Sequence, residues 1–227
     1  MAFTQDQICR RSSALTGLTD FAGTDERALM DAWLNEGLSQ IFQDTQCVVT
    51  DVVVGLTGGQ DEYALDRGVL TVLNYAQSSI NPSAKISVMN AADILERKFL
   101  SSTGFVRYFA VLGGNLLIVS PAPDQDQDIK FYCVPVPDLV EDPSDDIFDT
   151  GLPTYGQRAA EAYMNARCFE HMRDYQNSQF WDAQYTAECG KIKIAMRRQA
   201  GRTLPASRIG YPDRYSTPSR NDVYPND

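Results

Sequence analysis

The chain has 227 residues, 43% hydrophobic and 22% charged, which is enough apolar material for one large domain or two small ones without disulfide support. A formal net charge of −10 and a pI near 4.6 exclude a surface built to grip nucleic acid non-specifically. Residues 1–190 hold 12 Lys/Arg against 27 Asp/Glu, whereas residues 191–227 hold 8 against 3, so the C-terminal end is expected to meet a different environment.

Cys9, Cys47, Cys133, Cys168 and Cys189 are odd in number, dispersed and without a CxxC pair, as expected of free thiols in a reducing compartment. No apolar run approaches the roughly 18 residues that span a bilayer. The N-terminus lacks the basic and apolar regions of a signal peptide. The expectation is a chain folded in cytosol, with no membrane partner.

Thr4 and Gln7 form a T-x-x-Q capping box, with Phe3 and Ile8 at the staple positions, predicting a short helix over about 5–14 that ends at Gly17. Thr24 reads as a second N-cap, with Asp25 and Glu26 behind it. Met30, Trp33, Leu34, Gly37, Leu38 and Ile41 then recur at helical spacing. From Cys47 the period changes. Strands are expected at 48–54, near Tyr63–Leu65, and at 69–75, 105–111, 116–119 and 129–134. Turns fall at 56–59 and at Gly113–Gly114–Asn115, and Asn90 caps a short helix through Phe99. An acidic loop, 141–149, leads to a helix over about 155–173. Tyr175 to Ser178 breaks the pattern, and Trp181, Tyr185, Glu188, Ile192 and Ala195 carry a second helix to about Arg198.

The expected fold class is therefore α+β. N- and C-terminal helices (1–45 and 151–198) close one bundle, with an antiparallel β-rich domain and acidic loop (46–150) inserted between them. Residues 199–227 differ again. Pro205, Pro212, Pro218 and Pro225 forbid helix, and Arg202, Arg208, Arg214 and Arg220 recur every six residues. In a strand or a polyproline II helix six residues return to the same face, so these arginines line one edge of an extended arm. Tyr211, Tyr215 and Tyr224 add apolar area with polar tips, as partner-binding anchors do. An unstructured tail with chance spacing explains the pattern equally well.

Chemistry-bearing motifs are sparse. There is no P-loop, nucleophile elbow, dinucleotide fingerprint or zinc-ligand spacing. Gly190–Lys191 lacks the preceding glycine and following Ser/Thr of a phosphate loop. His171 is the one histidine, too little for a His-based metal site or a Ser–His triad. Asp124, Asp126 and Asp128 alternate like calcium-loop ligands, but Ile129 stands where that loop needs Gly and Pro135 where it needs Glu. No catalytic residue, cofactor or metal is expected.

Several segments carry a family resemblance. Gly59-Gln-Asp-Glu-Tyr63-Ala-Leu65-Asp66 is similar to a G-x-x-x-Y-x-L-P strand, with Asp66 in place of Pro. The stretch from Phe105 to Pro123 resembles a Y-x-V-x-G-x-x-L-x-L-x-P-x-P hairpin, and Phe131-Tyr-Cys-Val-Pro135 a Y-Y-x-x-P strand. Leu152–Pro153 opens a long helix, and Trp181 with Tyr185 looks like a closing W-x-x-x-Y helix. In this order they resemble the head-to-tail adaptor (connector) proteins of tailed bacteriophages, over nearly the whole chain. The resemblance implies a structural virion protein at the head–tail junction. It forms a homo-oligomeric ring of about twelve copies under the portal protein, holds the tail or tail-completion proteins below, and has a bore for DNA passage and ejection without specific binding. Two other classes stay open: another head- or tail-completion ring protein, and a carboxylate-based cell-wall glycan hydrolase.

Overall fold

The computed structural model describes residues 3–17, 24–98 and 103–203. Helix α1 (Gln5–Thr16) begins where the sequence indicates. The Thr4 hydroxyl accepts the Gln7 N–H at 3.4 Å, Phe3 and Ile8 are buried, and Gly17 closes the helix at φ 75°. The backbone of α2 (Thr24–Thr45) starts at the expected cap, but the side chains of 24–26 lie outside the description. Its stripe of Met30, Leu34, Leu38, Ile41 and Phe42 is buried.

Helix α4 (Gln157–His171) lies at the centre of the bundle, because Ala159, Ala160, Ala162 and Ala166 give it a thin wall. It packs against α1, α2 and α5 (Tyr175–Thr203). Closeness is extreme at Gly37 of α2, where a Cβ would lie 2.7 Å from the Tyr163 ring. Arg27 joins the first two helices by pairing with Asp6 and Asp31, both at 3.0 Å.

The helical break falls at Met172–Asp174, earlier than the expected 175–178. Arg173 takes φ 62°, and the Asp174 carboxylate caps α5 through the Asn177 N–H at 3.2 Å. Tyr175 is consequently the first residue of α5, not part of the break. At its other end α5 runs to Thr203, past the expected stop near Arg198. Nothing before Pro205 forbids helix, so Arg202 sits on helical backbone and not in an extended arm.

Between the helix pairs, seven strands form one sheet: β1 (Thr50–Leu56), β2 (Glu62–Ala64), β3 (Val69–Ser78), β4 (Lys85–Val88), β5 (Tyr108–Leu112), β6 (Leu116–Ser120) and β7 (Gln127–Pro135). Their order is β1-β7-β3-β4-β5-β6-β2. Every strand sends at least one side chain into a single apolar cluster that includes Leu56, Tyr63, Ile86, Phe109, Leu117 and Phe131. One core reached from all seven strands means that the sheet curls into a nearly closed barrel.

The expectation of an antiparallel sheet is corrected at one place. β4, absent from the sequence reading, pairs in parallel with β5 (Ser87↔Tyr108, Val88↔Phe109), so the sheet is mixed. Parallel neighbours need a long crossover, which here carries the short helix α3 (Ala91–Lys98) begun by the Asn90 cap. The end expected for that helix, Phe99, lies outside the described residues. Ile94 of α3 covers Ala110 and Ile118 on the outer barrel face. The Gly113–Gly114 hairpin has both φ values positive, 60° and 82°, as a tight two-residue turn requires. Barrel and bundle share a wall, since Leu70, Leu73 and Val134 belong to the core of the helices.

Phe42 is 0% exposed in that shared core. Phe42→Ala should cost ~3–5 kcal/mol in urea unfolding. A loss under ~1 kcal/mol would show that the bundle core does not carry the fold.

Candidate functional site

Two polar side chains of the barrel hold its turns in place. Asp126 accepts the Gly58 N–H at 2.8 Å, joining the β1–β2 and β6–β7 turns. The Tyr63 hydroxyl accepts the Thr57 N–H at 3.1 Å and donates to the Gln60 carbonyl at 2.6 Å, fastening the same turn. His171 is exposed with its ring edge-on to Trp33, centroids 5.5 Å apart. Lys191 lies inside α5 and pairs with Glu188 at 2.6 Å, so Gly190–Lys191 is helix and not a phosphate loop. Among the described residues no group of three or more His, Cys, Asp or Glu gathers as a metal site. Burial pushes the Cys9 and Cys168 thiols up to about 12, far from a reactive thiolate. The Tyr185 hydroxyl is held protonated by burial and by donating to Asp44 at 2.7 Å.

Surfaces are more informative than pockets of chemistry, and α5 is apolar on two faces. Tyr185, Cys189, Ile192 and Met196 turn toward the bundle. Phe180, Ala183, Ala187, Gly190 and Ile194 recur at i, i+3, i+7, i+10 and i+14, on the opposite side of the helix. Phe180 is 54% and Ile194 50% exposed, and a Cβ on Gly190 would meet nothing within 4 Å. A helix that is apolar on both sides is ordinarily buried on both. The sequence reading followed the inner stripe and missed the outer one, although the same helical spacing reveals both.

Of the partner-binding residues expected from sequence, Arg202 lies on the last turn of α5. Arg208, Tyr211, Arg214, Tyr215, Arg220 and Tyr224 lie outside the described residues. The structure therefore brings none of the seven together into a described site.

Among the described residues no helix is long and apolar enough to cross a membrane. The sequence model of the SU10 adaptor protein family matches residues 4–209, from the α1 cap to beyond the end of α5. No curated protein matches the chain.

The raised thiols lead to a direct expectation. In native protein at pH 8, Cys9 and Cys168 should resist a thiol reagent that labels all five cysteines after unfolding. Rapid labelling of either residue in the native state, followed by mass spectrometry, would contradict their burial.

Proposed function

The chain belongs to the SU10 adaptor protein family, a family of phage adaptor proteins, and from that membership we propose that it forms a ring beneath the portal of a tailed phage. Membership implies a structural role, not an enzymatic one. In this reading about twelve copies surround the DNA path, bind the portal above and hold the tail below. The observation that carries the ring is the outer apolar stripe of α5, with Phe180 and Ile194 half exposed on a face a lone subunit leaves in water.

Charge supports the conduit. Twelve copies at −10 bring roughly −120 formal charges, and walls of that sign repel phosphates so that a duplex slides without being held.

The basic C-terminal segment is the exception. We assign residues 204–227, with Arg208, Arg214, Arg220 and the three tyrosines Tyr211, Tyr215 and Tyr224, to an arm that docks on the portal or an adjacent subunit. Arginine suits that task because its planar fork makes two hydrogen bonds to one carboxylate. Extended, these residues reach on the order of 80 Å, enough to cross a neighbour.

Electron micrographs of purified protein mixed with portal-bearing heads test the ring directly, and single copies on the portal would refute it. The end of α5 at Thr203 sets the right truncation for the arm. Protein ending at Thr203 should keep its helical spectrum yet fail to attach to heads. Attachment equal to that of the full chain would remove the arm from the assembly. His171→Gln, by contrast, should leave attachment unchanged.

A further inference from the structure

Because α1 and α5 do not close on each other across α4, a groove of about 640 Å³ opens between them. Its walls carry Arg11 from α1, Arg158 from α4 and Lys191 from α5, over an apolar floor of Tyr155, Ile192 and Ala195. Arg11 is answered by Glu161 at 2.8 Å and Lys191 by Glu188 at 2.6 Å. No carboxylate among the described residues pairs with Arg158, which is exposed, so the groove keeps a surplus positive charge in an acidic protein. Exposed Arg198, seven residues beyond Lys191, repeats its position around α5.

A complementary shape sits elsewhere on the same molecule. Leu139, 66% exposed, is the most exposed large hydrophobic side chain among the described residues. Asp138, Glu141 and Asp142, all exposed, flank it in sequence; Asp138 is paired with Arg67 at 3.2 Å, and no cation among the described residues pairs with Glu141 or Asp142. The knob is held firmly. Its neighbour Val140 is buried, donates its N–H to the Asn35 side-chain oxygen at 2.9 Å, and accepts the Asn35 amide N–H at 3.1 Å. Such fixing removes most of the entropy lost when a loop docks.

We propose that the groove between α1 and α5 receives the acidic segment 138–142 of a second copy of this chain, with Leu139 on the apolar floor and the carboxylates toward Arg158 and its neighbours. This rests on the ring reading and names one contact between adjacent subunits, beside the outer stripe of α5. Position agrees with charge. In its own molecule the segment is fastened to α2 through Asn35 and to the start of α1 through Gln5, and Leu139 stays exposed and outside the groove lining. Held there, the segment leaves the groove of its own molecule unfilled. Two different patches that fit each other make a heterologous contact, which generates a ring when its rotation closes. The C-terminal segment of the same chain is the wrong occupant, since its arginines would face cations.

The test compares self-association of full-length protein, alone and on portal-bearing heads, for the unaltered chain, Leu139→Ala, Arg158→Glu and the double variant Arg158→Glu/Glu141→Arg. All three positions are exposed, so the helical spectrum should not change. Each single variant should weaken association about tenfold or more, and the double variant should recover most of it by restoring opposite charges across the contact. Oxidation of mixed copies bearing Leu139→Cys and Ala195→Cys should give a crosslinked pair that neither gives alone. If both single variants associate as the unaltered chain does, the contact lies elsewhere and this inference falls while the ring stands. If the unaltered chain self-associates in neither setting, the ring reading and the inference fail together. If Arg158→Glu loses only affinity for duplex DNA, the groove is a phosphate contact and the inference is wrong.

Discussion

Three helices reach α4 because its side chains let them. Ala159, Ala160, Ala162 and Ala166 leave its backbone almost bare, and Gly37 of α2 lets that helix approach the Tyr163 ring to a distance no side chain would allow. Close approach gives the large residues of α2, such as Leu38 and Phe42, a surface against which to pack. It also ties the barrel to the bundle, since Val134 of β7 and Leu70 and Leu73 of β3 belong to the same core. A bulkier α4 would push α2 outward and open the joint between the two halves.

That geometry decides what remains on the surface. With α4 filled from three sides, the open side between α1 and α5 becomes a groove, and the long α5 is left with an apolar face toward solvent. An isolated domain gains nothing from Phe180 and Ile194 in water, which is why that face supports the proposed ring. Local polar chemistry has a different use. Tyr63, Asp126 and Asn35 all spend their hydrogen bonds holding turns and segments in place. A phage adaptor protein needs rigid, specific edges, and these residues supply rigidity.

Charge is organised in the same sense. The whole chain is acidic, yet cations collect along the C-terminal half of α5 and continue into the segment that follows. A predominantly negative chain with cations gathered toward its C-terminal end repels phosphates over most of its surface and presents one region of opposite sign. Both effects weaken as salt screens them.

Much of this was legible in the amino-acid order. The capping box at Thr4, the stripe from Met30 to Ile41, the Gly113–Gly114 turn and the alternation of β7 are local signals, set by neighbours within a turn or a hairpin, and they specify an α+β chain with a β insert between helix pairs. The motif order around Tyr63, the Phe105–Pro123 hairpin and Trp181 pointed to the adaptor family for the same reason. Other features depended on contacts distant in sequence. β4 is four residues long, too short to announce itself, and exists because β3 and β5 flank it, which also makes its pairing with β5 parallel. The break before Tyr175 was displaced because Asp174, three residues before Asn177, caps the next helix once Arg173 takes a left-handed turn. Nothing local marks Leu139 out; Asn35, more than a hundred residues away, holds its neighbour Val140 inside and leaves Leu139 outside. Periodicity records which face a helix turns inward; only the packing of α1, α2 and α5 around α4 determines which remaining face is left open to a partner.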